Sequence, residues 1–265
     1  KSSAIWIEQD DVQALNVKSN LPFEKSDIQR IKQVNISSYF AKINPILPVL
    51  SGSEGLYPFD SLHAMLEYGK KNNLDLGQLG IAYEQARSGL EGKKLEKMMQ
   101  ELITTVDRSI TNGLKGTSYD DRILHQQSHL LYFRGKESKY FDPLVNRIIS
   151  YVSALMEYKS AFGVIVAIPT AGSCGTVGGL IKAVAEKIEA STEDLVKAFF
   201  AAGMIGVFIS EGPGFSAEEH GCQVETGAAG CMAAGALVQL YRGDAQQAVN
   251  AASMALQNSI GLVCD

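Results

Sequence analysis

One long apolar stripe limits the fold of this chain more than any other feature. Leu95, Met98, Met99, Leu102, Ile103, Val106 and Ile110 recur at intervals of three and four, so they line a single face of an α-helix that needs a packing partner. Asn112-Gly113 offers that helix a left-handed stop. The same periodicity appears elsewhere. It begins near Pro58, where Asp60 is a candidate cap and Leu62, Met65 and Leu66 share a face as far as Lys70 to Asn73. It returns from Asp142-Pro143 to Met156 through Leu144, Ile148, Ile149, Val152 and Leu155, with Pro143 suited to a first turn. Ser191 followed by Glu193 and Asp194, and Asp244 followed by Gln247, mark two further helix starts. Six or more helices against little strand signal predict an all-α fold: a multi-helix domain with glycine-rich loops and a small irregular N-terminal segment. The apolar run FGVIVAIP before Thr170 suits a buried strand or a helix that breaks before Pro169, and its helical neighbours favour the helix. Residues 113–141 read as loop at both ends of a short apolar centre.

A chain of 265 residues has room for one sizeable core with an attached segment. Residues 1–57 hold polar clusters, three of the seven prolines and only short apolar pieces, so the expected division is an N-terminal extension or small subdomain over 1–57 and the helical domain over 58–265. With 29 acidic against 24 basic residues, a net charge of −5 and no run of about five lysines and arginines, nucleic acid is not an expected partner. No apolar stretch approaches the length of a membrane span, and the opening KSSAIWIEQDD lacks the apolar core of a signal peptide. Cytoplasmic placement is therefore expected. The four cysteines, Cys174, Cys222, Cys231 and Cys264, all follow residue 173 and form no disulfide framework, which leaves reduced thiols or metal ligands.

The chemistry-bearing residues gather in the last hundred positions. Pro169-Thr170-Ala171-Gly172-Ser173-Cys174-Gly175 runs into the helical stretch LIKAVAEKI. A glycine-rich turn that feeds a helix presents backbone N–H groups and the positive end of the dipole to a carboxylate or phosphate, and Thr170 and Ser173 add hydroxyls. The same residues also suit a plain tight turn with close helix packing. They are neither a Walker loop nor a G-x-S-x-G elbow. A second element, Glu218-Glu219-His220-Gly221-Cys222, brings carboxylates, an imidazole and a thiol together for proton transfer or metal binding. Its spacing does not fit a zinc set, and Cys231, nine residues further on, reads as a compact core residue. A third element is the terminal Gly261-Leu262-Val263-Cys264-Asp265, whose apolar run closed by Cys-Asp implies that the natural chain continues. His63, His125 and His129 are further candidates, the last two being four apart on a candidate helix or else ordinary polar residues.

Taken in order, PTAGSCG, AAGMIG (201–206), E-x-GCQ-x-E-x-G (219–227), MAAGALVQL and GLVCD resemble the alpha, catalytic part of the iron-sulfur-dependent L-serine dehydratases over about Tyr57 to Asp265. The resemblance implies a largely helical catalytic domain and elimination of water from L-serine, or from a related β-hydroxy acid, to give pyruvate and ammonia. It implies a [4Fe-4S] cluster ligated by Cys222 and Cys264, with a third cysteine beyond residue 265. Cluster iron would act as a Lewis acid on the β-hydroxyl. The turn Thr170, Ala171, Gly172, Ser173, Cys174 and Gly175 would bind the substrate, and Glu219, His220 and Lys159 are the candidate catalytic side chains. A small amino acid is the implied partner, together with a homo-oligomer and a beta-type subunit or domain.

The chain also departs from the family pattern. Lys159 stands where asparagine is usual, and Gly212 to Glu219 replaces Asn-Ala-Ser-Ile-Ser-Gly-Ala-Glu. Lys159 either pairs with an extra substrate carboxylate or is a solvated lysine, and His220 either serves acid-base chemistry or is an exposed loop histidine. Two other functions stay open: β-elimination of thiol from cysteine, as in desulfidases, and a cluster-less paralogue acting as a binding or regulatory subunit.

Overall fold

The computed structural model describes residues 2–9, 12–19, 24–33, 57–120, 122–123, 125–134, 142–212 and 214–261. The chain divides into two units, Lys1–Pro48 and Val49–Asp265. In the first unit β1 (Ser2–Gln9) pairs antiparallel with β2 (Val12–Ser19), Gln9 opposite Val12 at the closed end and Ser2 opposite Ser19 at the open end. Ile5, Trp6, Ile7, Val12 and Val17 supply the β-branched and aromatic residues that strands favour. A helix, α1 (Lys25–Gln33), follows, and none of its residues is buried. The segment expected to be irregular therefore holds a hairpin and a helix, while 34–56 lie outside the described residues.

The second unit is built from helices alone among the described residues, as the periodicity predicts. It opens with α2 (Leu62–Asn72) and α3 (Leu76–Ser88). The cap of α2 is Ser61, whose hydroxyl accepts from the Ala64 N–H at 3.2 Å, one residue after the expected Asp60. Asp75 caps α3 in a reciprocal box with Gln78, and the Gly77 N–H, left over at the helix start, donates to Gln239 Oε1 at 2.9 Å.

The apolar stripe forms α4 (Gly92–Leu114), which buries Leu95, Ile103, Val106 and Ile110. It packs against α6 (Pro143–Ser160), whose N-cap is Asp142. The expected stop at Asn112-Gly113 is not one. The helix runs on to Leu114, its cap Lys115 is right-handed, and the positive φ falls at Gly116. A Cβ at Gly113 would sit inside the Ala154 carbonyl, so this glycine serves the close approach of α4 to α6. Between them lies α5 (Ser128–Arg134), started by Glu157 of α6: Gln127 N and Ser128 N donate to Oε1 at 2.7 and 3.2 Å, and Ser128 Oγ donates to Oε2 at 2.6 Å. His125 precedes α5 and only His129 lies within it, so the two histidines share no helix.

The expected helix over FGVIVAIP is corrected by the structure. Gly163 N donates to Tyr158 O at 2.9 Å while Phe162 takes a φ of 59°, and this pair of features terminates α6. The residues that follow form no helix or strand and reach a cis Ile168-Pro169 bond. Ile165, Val166 and Ile168 touch the core, but Phe162 and Val164 are 93% and 58% exposed. A one-sided contact of this kind needs no helix.

The remaining helices are α7 (Cys174–Lys187), α8 (Thr192–Glu211), the short α9 (Ala217–His220), α10 (Cys222–Leu240) and α11 (Ala245–Gln257). Ser191 with Asp194 and Asp244 with Gln247 form the capping boxes of α8 and α11, as expected. Helix α10 packs against α7, α8 and α11, and α7 lies on α6. A Cβ at Gly179 would come within 2.7 Å of Val152 N, so α7 rests on the α6 backbone and the turn before α7 is held against it. No helix among the described residues is long and apolar enough to cross a membrane.

Candidate active site at the starts of helices α7 and α10

The segment before α7 is fastened from below by α4, where Ser109 Oγ donates to Val164 O at 2.8 Å. It leads into a turn that closes on itself. Ile168 N donates to Thr170 O at 3.1 Å, Ser173 N donates to Thr170 Oγ1 at 3.2 Å, and the two hydroxyls are 3.0 Å apart. Ala171 and Gly172 are exposed at the tip, whereas Ser173, Cys174 and Gly175 are buried. Cys174 turns inward, its thiol donating to Ala171 O at 3.3 Å.

The second wall comes from α10. Thr170 Oγ1 donates to Glu225 Oε1, joining positions 55 residues apart. A Cβ on Gly172 would lie 2.5 Å from the same Oε1, so the carboxylate rests directly against the glycine. Glu225 lies in the first turn of α10, where a negative charge complements the helix dipole, and one helical turn after Cys222. It belongs to the quoted E-x-GCQ-x-E-x-G pattern, yet its partner in the PTAG turn is not a sequence neighbour. Spacing alone does not reveal the contact.

Lys159 is half-buried near the end of α6. Burial pushes the Cys174 thiol up to about 11, the nearby Lys159 charge acts against that rise, and Glu225 adds to it. A lysine and a glutamate thus both act on the turn through space.

Glu219 and His220 close α9, with 3.8 Å between His220 Nε2 and Glu219 Oε2. Among the described residues neither shares a hydrogen bond or ion pair with the turn or with Glu225; their link to the site is the chain itself, which continues through Gly221 into Cys222. Gly221 has a φ of 83°, and this left-handed step turns α9 into α10. His63 pairs with Glu67 at 3.5 Å on an exposed face of α2.

The cysteines separate by exposure. Cys222, the first residue of α10, is exposed, so a metal can reach its sulfur. Cys174 and Cys231 are buried, and burial raises the Cys231 thiol as well, which suits core packing rather than ligation. Cys264 lies outside the described residues. The chain leading to it is nevertheless tied to the start of α10, because Gln223 Nε2 donates to Ser259 O and Gly227 packs against the Ser259 hydroxyl. No cluster of three His, Cys, Asp or Glu that could hold a metal occurs among the described residues.

With this geometry in view, comparison with known proteins is informative. The family model described as serine dehydratase alpha chain matches residues 70–265. The probable L-serine dehydratase alpha chain of Bacillus subtilis is 30% identical over 209 residues, covering 78% of this chain and 69% of the relative. The L-serine dehydratase alpha chain of Peptoniphilus asaccharolyticus is 40% identical over 109 residues, which is 41% of this chain and 37% of that one. L-serine dehydratase 1 of Escherichia coli is 31% identical over 219 residues, with 79% of this chain covered but only 47% of the relative. This chain thus spans about half or less of two of these relatives. The match takes in the whole of α3 to α11, and with it both walls of the site: the chain belongs to the serine dehydratase alpha chain family.

Proposed function

We propose that this chain forms the catalytic part of an L-serine dehydratase, a lyase that removes water from L-serine to give pyruvate and ammonia. The observation that carries the reading is the junction of Thr170 with Glu225, which places the PTAGSCG turn against the first turn of α10, beside Cys222. The turn and the start of α7 receive the substrate carboxylate through backbone N–H groups and the Ser173 hydroxyl, while Thr170, whose one hydroxyl proton goes to Glu225, shapes the turn that presents them. Glu225 holds the Thr170 hydroxyl in place, and Lys159 supplies positive charge beside Cys174. Glu219 and His220, which lead into Cys222, are proposed for proton transfer. Loss of the Cα proton and of the β-hydroxyl, which leaves as water, gives aminoacrylate. Its imine tautomer takes up water to release ammonia and pyruvate.

Cys222 and Cys264 would hold an iron-sulfur cluster of the [4Fe-4S] type, with a third cysteine from beyond residue 265. When bound, such a cluster supplies a Lewis acid for the departing hydroxyl. The exposure of Cys222 and the Gln223–Ser259 contact support that ligand pair. The naming of relatives as alpha chains, and the share of them this chain spans, favour completion by a beta-type portion within a homo-oligomer.

The test is pyruvate release from L-serine, with L-cysteine, L-threonine and D-serine as comparisons, by anaerobically prepared protein that includes the third cysteine and the beta-type portion and is supplied with iron and sulfide. L-Serine is expected to be turned over fastest. Turnover of L-cysteine with none of L-serine would transfer the site to thiol elimination, and no turnover of any of them would refute a catalytic role.

A further inference from the structure

A cavity of about 670 Å³ opens between α4, α5, α6 and α7, at the end of α7 remote from the Cys174 turn. Its inner pole carries mixed charge. Lys182 Nζ lies 2.9 Å from Asp107 Oδ1 and 3.6 Å from Glu186 Oε1, and Glu186 Oε2 accepts from Tyr151 Oη at 2.7 Å. These carboxylates are 39% and 37% exposed and the lysine 22%, so each still faces the cavity. An ammonium has three donors, and the two carboxylates need only two of them. Lys115, the C-cap of α4 eight residues beyond Asp107, also lines the cavity. Arg147 Nη1 approaches Glu186 Oε2 at 4.0 Å as well, so the two carboxylates stand among three cationic groups.

The other walls are apolar. Tyr132 and Phe133 of α5 meet edge to face at 5.3 Å between ring centres, and Ile110 and Leu114 line the α4 side. His129 lines the cavity too, and its buried Nδ1 has no hydrogen-bond partner among the described residues. Phe133 is 65% exposed although it borders a concave surface. The volume falls within the range of about 300–1,000 Å³ usual for small-molecule sites, which combine apolar walls with a few convergent polar groups.

We infer that this cavity is a binding site for a small zwitterion with an apolar body, of the class of the apolar α-amino acids. The ligand ammonium sits against Asp107 and Glu186, its carboxylate takes the remaining donor of Lys182, and its side chain lies between Phe133, Tyr132 and Leu114. A neutral apolar molecule would strip water from these charged groups without replacing its hydrogen bonds, and a simple anion would meet two carboxylates. Binding here is independent of the reaction proposed above.

The experiment is calorimetric titration of the full chain with L-phenylalanine, N-acetyl-L-phenylalanine and L-phenylalaninamide. L-Phenylalanine is expected to saturate one site in the millimolar range or tighter. Each capped analogue, lacking one charge, should bind at least about tenfold more weakly. Phe133→Ala, which removes an exposed ring, and Lys182→Gln should each weaken L-phenylalanine severalfold. Excess L-serine should not displace it. The inference is overturned by absence of saturable heat, by equal binding of a capped analogue, by displacement with L-serine, or by unchanged affinity in Phe133→Ala. The last criterion stands even if Lys182→Gln does not fold.

Discussion

Replacing Gly172 with alanine adds one methyl group and removes no functional atom, yet it should disable the site. The new carbon would lie 2.5 Å from Glu225 Oε1 and 2.8 Å from Oε2, well inside contact distance. The carboxylate is the end of a flexible side chain and can swing away, so the fold survives, but it then leaves the Thr170 hydroxyl that donates to it. Hydrogen bonds to charged groups contribute about 1.5–3 kcal/mol. Glu225 is only half-buried, so the lower end applies, and about 1.5 kcal/mol corresponds to roughly a tenfold fall in kcat/KM for L-serine. The same energy lowers Tm by roughly 3–6 °C in a chain of this size. Initial rates of pyruvate formation and a thermal melt measure the two effects. Glu225→Ala acts on the same contact, so the double variant should be no worse than the more damaged single one. Unchanged kcat/KM in Gly172→Ala, or losses that simply add in the double variant, would refute the coupling of turn and helix.

Further outcomes follow from burial and charge. In cluster-free protein at pH 8, iodoacetamide should modify exposed Cys222 rapidly and Cys174 at least about a hundredfold more slowly, since raising a thiol from 9.0 to about 11 cuts its thiolate that much; mass spectrometry of timed digests reads the ratio. Folding stability should be pH-dependent in the alkaline range. Because Cys174 holds its proton more tightly folded than unfolded, its contribution is complete below pH 9 and is lost as the pH rises towards 11, by at most about 3 kcal/mol. Urea melts of wild type and Cys174→Ala between pH 8 and 11 test this, and the variant should show the shallower decline. Gly113→Ala should destabilise the helical unit by about 1–3 kcal/mol or more, because its methyl group must push α4 off the Ala154 carbonyl of α6, whereas Gly203→Ala, with open space around it, should not. A Gly113→Ala melt matching wild type would remove the close-packing role assigned to that glycine.

The parts of the fold that were legible in the sequence depend on neighbours along the chain. The α4 stripe and the capping boxes at Ser191 and Asp244 are patterns within a few residues, and the helices formed where they indicate. Gly113 reads as a stop because glycine commonly ends helices, but its role is set by Ala154, forty-one residues later. FGVIVAIP resembles its helical neighbours in composition. What decides its conformation is the closing bond from Gly163 to Tyr158 and the anchoring of Val164 by Ser109 on α4. At the site, the turn before α7 and the position of Cys222 at a helix start follow from local glycine patterns. Glu225 emerges only when α7 and α10 are brought side by side, and Lys159 gains an electrostatic role only through the fold that sets it near Cys174. The mixed-charge cavity likewise draws on four helices, and no single stretch of sequence announces it.

In the proposed function Cys222, at the start of α10, holds the iron on which dehydration of L-serine depends. The most direct measurement compares anaerobically reconstituted wild type with Cys222→Ser for bound iron, visible absorption and pyruvate formation in the same preparations. The serine variant, still folded by circular dichroism, is expected to lose iron, absorption and activity together. A variant that retains bound iron and the wild-type rate would contradict that role of Cys222.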